Sequence, residues 1–323
     1  MSLFGKLIPN RRKKGKEFLV IEIGLGRVSA AIYRGGETHP HLVSVGRKEF
    51  SSYENIFNAT LEAVDALAAI SKKIPKKAIL GVTDGVLRTT TTVARYDRPK
   101  PKEPVDAGEV GKVLEQISSA VKAEDLKTFF SVVASAKLDE ASITNPIGLK
   151  GEKAALACFI ALKSPSELAM FDKIIDELEL RAERAMPSSF AVSRALLKQN
   201  LNDALVLRVG KEKSEGALLS EGHIFEILPF DIGEAGVDYI SIGIEAIVSL
   251  LEKEKRPQTI WLYSDEDGVN LEGTVEKLNN FAWEERLGYE KAPEITTKEI
   301  IEGVASSDTG LTALAYEYLE DAR

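Results

Sequence analysis

The stretch Val20-Ile21-Glu22-Ile23-Gly24-Leu25-Gly26-Arg27-Val28-Ser29-Ala30-Ala31-Ile32-Tyr33, VIEIGLGRVSAAIY, decides how this chain is read. An apolar run ends in Gly24-Leu25-Gly26, the makings of a phosphate-binding turn. In a dinucleotide-binding motif such a turn opens a helix, whose N-terminus holds the pyrophosphate. Here the residues after Gly26 form a second apolar run, which meets Gly35-Gly36, a tight-turn signal. The glycines therefore join two strands of a hairpin, and the dinucleotide reading is set aside.

Outward from that hairpin the order is strand, strand, strand, helix, strand. EFLVIEIG and RVSAAIYR are the first two strands, and PHLVSVGRKEF is the third. SYENIFNATLEAVDALAAISKK then carries Ile56, Leu61, Val64, Leu67 and Ala68 at helical spacing, and KKAILGVT is the next strand. The same order recurs from residue 203. DALVLRVG, EGALLSEG and HIFEILPF are strands, with a turn at Glu221-Gly222. A helix follows with Ile240, Ile244, Ile247, Val248 and Leu251 on one face, and PQTIWLYS closes the unit. An internally repeated order is informative, because a short apolar run taken alone is ambiguous between helix and strand.

Residues 84–163 interrupt the first unit. VLRTTTTVARYDRP reads as a β-branched strand. VDAGEVGKVLEQISSAV reads as a helix opened by a capping box of Asp106 and Glu109. FFSVVASAKLD and EASIT form a hairpin, NPIGLKGEK a turn and AALACFIALK a last strand. SPSELAMFDKIIDELEL then begins a helix with Ser164 as N-cap, Pro165 at its first position and Glu167 at its third.

The chain has 323 residues, with 44% hydrophobic and 28% charged, the profile of a globular protein with a substantial core. A formal net charge of −8 argues against a nucleic-acid-binding surface. The single cysteine, Cys158, lies in an apolar run, which excludes a disulfide framework and fits a reducing cytoplasm. No apolar run approaches the roughly 20 residues of a spanning helix. The start pairs Leu3, Phe4, Leu7 and Ile8 with Arg11, Arg12, Lys13, Lys14 and Lys16. That segment has the chemistry to touch an anionic membrane from the cytoplasmic side. The same composition also serves as a solubilising tail. His39, His41 and His223 are too scattered to form a metal set.

Two glycine-ended hairpins in duplicated halves resemble the actin-like ATPase superfamily. The stretches ILGVTDGVLRTTTTVARYDRP, SITNPIGLKGEKAALACFIAL and IIDELELRAERAMPSSFAVSRALL look like FtsA, the bacterial cell-division actin homologue. PilM, the pilus-platform family, is a close sibling with the same insertion, and the short basic start looks at least as much like PilM. The resemblance implies an α/β, duplicated ribonuclease-H-like actin fold with an inserted small subdomain and a reduced second half. Its divisions are a tail at 1–16, a first half at 17–83 plus 164–199, an inserted subdomain at 84–163 and a second half at 200–323. The latter lacks the second small subdomain that in FtsA supplies the surface for FtsZ.

In that family each hairpin carries an acidic residue before its glycines, to position magnesium and water. The first such position falls on Glu22, which keeps the charge with one extra methylene. Gly24 and Gly26 keep the close approach to phosphate, and Arg27 stands where Ser or Thr is common. At the second hairpin Arg208 replaces the acid; Gly210 remains, and Lys211, Glu212 and Lys213 fill the glycine and small-residue positions. The adenosine signature reduces to Gly268, beside Ser264, Asp265, Glu266 and Asp267, an acidic loop that would repel a triphosphate. The resemblance thus implies a scaffold with a degenerate site, no catalytic residue and no cofactor, serving division or envelope assembly. Thr90, Thr92, Asn145, Pro146 and Gly148 of the insertion would face protein partners or further copies of the chain. Two alternatives remain: an altered but working Mg-ATP site, with Arg27, Lys211 and Lys213 as phosphate ligands, and a PilM-like pilus platform.

Overall fold

Strand β1 (Glu17–Gly24) is buried at every position from Phe18 to Ile23. It reads as a continuous apolar run because both of its faces are covered. A computed structural model of the chain describes residues 15–36, 39–71, 73–83, 88–121, 125–143, 145–211, 213–231, 237–252, 255–297, 299 and 306–320. Leu3, Phe4, Leu7, Ile8, Arg11, Arg12, Lys13, Lys14 and Glu212 lie outside the described residues.

After β1 come β2 (Arg27–Gly35), β3 (Pro40–Glu49), α1 (Ile56–Ala68) and β4 (Lys77–Thr83). The inserted unit holds β5 (Arg88–Asp97), α2 (Ala107–Ala120), β6 (Lys127–Leu138), β7 (Ala141–Ile143) and β8 (Lys153–Lys163). Then α3 (Pro165–Glu177), β9 (Arg181–Pro187) and α4 (Ser188–Lys198) follow. The second half is β10 (Ala204–Arg208), β11 (Lys213–Ser220), β12 (His223–Asp231), α5 (Val237–Val248) and β13 (Thr259–Tyr263). It ends with α6 (Leu271–Asn279), α7 (Trp283–Leu287), β14 (Glu294–Thr296) and α8 (Thr309–Glu320).

The two large sheets repeat one plan. Their orders are β3-β2-β1-β4-β9 and β12-β11-β10-β13-β14. In each, the first strand of the half pairs antiparallel with its hairpin partner and parallel with the strand after the helix. The inserted sheet, β5-β8-β6-β7, is antiparallel throughout. Local chemistry sets the ends of several elements. Glu221 and Gly222 both take positive φ, 53° and 76°, as the two-residue hairpin turn between β11 and β12 requires. Ser164 and Glu167 form the reciprocal capping box of α3, with Pro165 in its first turn. The box expected at α2 is only half made. Asp106 accepts from the Glu109 amide, but the Glu109 carboxylate turns to Arg98 and Tyr96 instead. A bidentate partner on the buried Arg98 guanidinium is the stronger claim on that carboxylate.

What joins the halves is an exchange of helices. The inner face of the second sheet, including Ala204, Val206, Ala217 and Leu219, shares one apolar cluster with the first sheet, α4 and α8. Its outer face, Leu205, Leu207, Leu218 and Leu262, packs in a separate cluster with Ile240, Ile244, Ile247 and Trp283. Helix α8, although last in the chain, lies on the first sheet. Tyr318 stacks on Phe18 with ring centroids 3.9 Å apart, and Thr312 shares a 2.9 Å hydrogen bond with the Tyr33 hydroxyl. A Cβ on Gly81 of β4 would stand 2.1 Å from Leu314 Cδ1 and 2.7 Å from Ser188 Oγ. Gly81→Ala should therefore push α8 off the sheet and lower stability by about 1–3 kcal/mol. In urea unfolding the midpoint should fall with little change in slope; an unchanged midpoint would place α8 elsewhere.

Candidate functional site

The ends of β1 and β10 meet at the cleft between the halves, and side chains fill it. Arg208 stands in the second hairpin where the resemblance implied an acid, and it is 2% exposed. Its Nε donates to Asp265 Oδ1 at 2.7 Å and its Nη2 to Glu266 Oε1 at 3.0 Å. Its Nη1 reaches the Lys213 carbonyl at 3.4 Å. Burial works against the guanidinium charge, but Asp265 first, with Glu266 and Glu215, outweighs it and holds Arg208 firmly protonated. Breaking such a buried pair from one side commonly costs about 3–5 kcal/mol, because the remaining charge is left without compensation.

The loop after β13 is therefore pinned across both hairpins. Glu266 Oε2 accepts the Lys211 amide at 3.0 Å. Asp267 Oδ2 stands 3.1 Å from Arg27 Nη1, at the tip of the first hairpin. Arg27 Nη2 donates to the Ser307 carbonyl at 3.4 Å, and Arg47 pairs with Asp308. The loop expected to stand as an acidic barrier instead has its charges met by cations and an amide. Gly210 is required by close approach, since a Cβ there would lie 2.2 Å from the Lys213 carbonyl and 2.6 Å from Glu266 Oε1. Gly26 and Gly268 take φ of 74° and 79° as turn residues. Gly24 faces Thr83 Oγ1, which its Cβ would meet at 2.7 Å.

Glu22 corrects a sequence expectation. Glu22 was expected to keep a negative charge, with one methylene more than the usual Asp. Its carboxyl is instead buried, and burial, reinforced by the Asp265 charge, pushes its pKa up to about 8 against the opposing pull of Arg208 and Arg27. Burial thus favours its protonated form over the carboxylate. Helix α8 closes over it at Gly310, where a Cβ would meet Glu22 Oε1 at 1.9 Å. Glu22 Oε1 and Thr83 Oγ1 have no hydrogen-bond partner among the described residues. The space lined by Glu22, Gly24, Arg27, Thr83, Arg208 and Asp265 is a cavity of about 10 Å³. That is room for about one water and not for a triphosphate.

The expected site residues of both hairpins thus converge here. The sequence reading had missed Thr83, Gly310, Asp308 and the bond from Ser189 Oγ to Glu215 Oε1, 2.9 Å, which ties α4 to β11. No local pattern marks these residues, since each meets its partner through tertiary packing. The insertion residues lie apart. Thr89 and Thr91 turn to the second half, donating to the Ile227 carbonyl at 2.6 Å and to Glu226 at 3.4 Å. Thr90 and Thr92 are half-buried. Asn145 caps the Ile147 amide, Pro146 is buried, and the Gly148 amide bonds the Val105 carbonyl. No group of three or more metal-ligating side chains occurs among the described residues.

No protein-family model and no curated protein sequence matches the chain. Solved structures do. A protein of the "PilM-PilN type IV pilus biogenesis complex" superposes with a TM-score of 0.62 at 12% identity, over 96% of this chain and 99% of that one. The ethanolamine utilization protein EutJ from Carboxydothermus hydrogenoformans gives 0.50 at 9% identity, over 94% and 92%. A Bacteroides thetaiotaomicron protein described as having an "actin-like ATPase fold and unknown function" gives 0.48 at 10%, over 93% and 96%. With the duplicated sheet order, the likenesses at TM-scores of 0.62 and 0.50 show a duplicated α/β fold of the actin-like type.

The Glu22 carboxyl generates a pH prediction. Its folded pKa, about 8, lies above the ordinary 4.5, so the native state is the better proton binder. The stability this contributes is complete below pH 4.5 and is lost as pH rises through 8. Glu22→Gln, which cannot ionise, should be flat where the wild type declines. Between pH 6 and about 9 the variant should gain a few kcal/mol relative to wild type. Parallel denaturation curves across that window would contradict a neutral Glu22.

Proposed function

We propose that this protein is a non-catalytic, actin-fold scaffold that assembles with protein partners at the inner face of the cell membrane, in division or a related envelope assembly. The observation that carries it is Arg208, buried between Asp265 and Glu266 in the position of the family's magnesium-binding acid. With the cleft held shut by the chain's own ion pairs, surfaces rather than turnover are what the fold has to offer. The insertion is the partner surface in this reading. Its 145–150 loop exposes Ile147 and Leu149 at 42% and 43%, beside Asn145 and Gly148. The PilM-PilN likeness supports a pilus-platform version of the role only to the extent that this fold can serve a protein complex. No described helix is long and apolar enough to cross a membrane. Membrane contact is assigned to residues 1–16, through Leu3, Phe4, Leu7 and the Arg11–Lys13 run.

Two measurements check this. Micromolar binding would stabilise the protein by a few kcal/mol at millimolar ligand, so thermal melting with millimolar Mg-ATP tests the cleft directly. The expected result is an unmoved midpoint. An upward shift that disappears in Glu22→Ala would instead establish the altered but working ATP site, with Arg27, Lys211 and Lys213 as phosphate ligands. For the membrane, the full chain should sediment with vesicles containing anionic lipid and the chain lacking residues 1–16 should not. Equal pelleting of the two would remove the membrane from the proposal.

A further inference from the structure

Helices α1 and α5 hold the same place in the two halves, each leading from the third strand to the strand beside the centre. Their burial agrees residue by residue. From Ile56 to Ala68 and from Ile240 to Glu252, buried, half-buried and exposed positions follow in the same sequence. The fold therefore makes the same demand on both outer faces, and the two are filled differently. On α1 the exposed positions are Asn58, Glu62, Asp65, Ala66 and Ala68. Their counterparts on α5 and its final turn are Ile242, Ala246, Ser249, Leu250 and Glu252. Ile242 and Leu250 are 54% and 49% exposed, among the most exposed large apolar side chains described. One helix meets water with three polar side chains and two alanines, and its twin with an aliphatic strip of Ile242, Ala246 and Leu250 beside Ser249 and Glu252.

We infer that this strip is a contact between two copies of the chain, crossing antiparallel about a two-fold axis at Ala246. The strip is self-complementary, as an isologous interface must be. Ile242 and Leu250 stand four residues on either side of Ala246, so the axis sets each Ile242 on the partner's Leu250. At the crossing point the small Ala246 meets the partner's Ala246, which lets the helix axes approach closely. Charge selects the same occupant. No exposed position from Ile242 to Leu250 is charged, and the half-buried Glu245 lies at one flank. In a chain of net charge −8, two copies can meet there without opposing carboxylates at the centre, whereas a strongly basic or acidic partner would find no counter-charge. Two half-exposed aliphatic side chains fall well short of the roughly 800 Å² per partner of a standard interface. The dimer is therefore weak and concentration-dependent, suited to assembly on a surface that gathers copies. This contact does not depend on whether the cleft binds nucleotide.

Full-length Ala246→Cys and Glu62→Cys, the matching position on α1, test the geometry under a mild oxidant. Cys158 is a silent background, since it is buried and burial pushes its thiol up to about 11. Ala246→Cys should form a disulfide-linked dimer on the order of tenfold faster than Glu62→Cys, because the axis presents the two thiols to one another. Sedimentation of the wild type from low to high micromolar should show mass rising towards the dimer. Ile242→Asp should remain monomeric with an unchanged melting temperature. Equal cross-linking of the two cysteine variants, or a wild type monomeric throughout, would overturn the assignment. So would a dimer that Ile242→Asp leaves intact.

Discussion

A buried guanidinium between two carboxylates organises the centre of this molecule. Arg208 is 2% exposed, and a charge so placed is tolerable only while Asp265 and Glu266 stay against it. That requirement fixes the loop after β13. The fixed loop presents Asp267 to Arg27 and accepts the Lys211 amide, and so ties the first hairpin to the second. The two hairpins thus meet around ion pairs of the chain itself.

The helix exchange keeps that centre closed. α4 follows the first sheet yet bonds β11 through Ser189 and Glu215, and α8 follows the second sheet yet packs on the first. Opening the cleft would therefore shear one shared apolar core as well as part ion pairs. Glu22 shows what closure does to chemistry. Under α8, with Gly310 against its carboxyl, it is desolvated and faces the Asp265 charge. A group that would be an anion on an open strand end is instead pushed towards its protonated form.

Most of the architecture was legible along the chain. The hairpin reading of Gly24-Leu25-Gly26 held because the residues after it are strand-like, and the repeated order of elements matches four of the five strands in each sheet, with the parallel edge strands β9 and β14 left unread. The α5 face named from spacing, Ile240, Ile244, Ile247, Val248 and Leu251, is buried throughout. Where the reading missed, a distant partner had intervened. Glu109 left its capping box for Arg98. The acidic loop at 265–267 was read as a barrier because nothing nearby in sequence shows that Arg208 and Arg27 lie across from it. Nothing local marks Thr89 and Thr91 of β5 as the residues that bond β12.

Periodicity, turn residues and an internal repeat are local properties, and they were enough to determine a duplicated α/β fold with an insertion and the identity of the residues at both hairpin ends. The sequence by itself also determined that an arginine stands where an acid was expected. Charge state and closure are not local. Whether Glu22 carries a proton depends on what excludes water from it, and whether an acidic loop repels or binds depends on which cations face it. Those neighbours come from positions up to 280 residues apart, as with Arg27 and Ser307. Only the tertiary structure decided them, because desolvation and ion pairing are set by distance in space and not by distance along the chain.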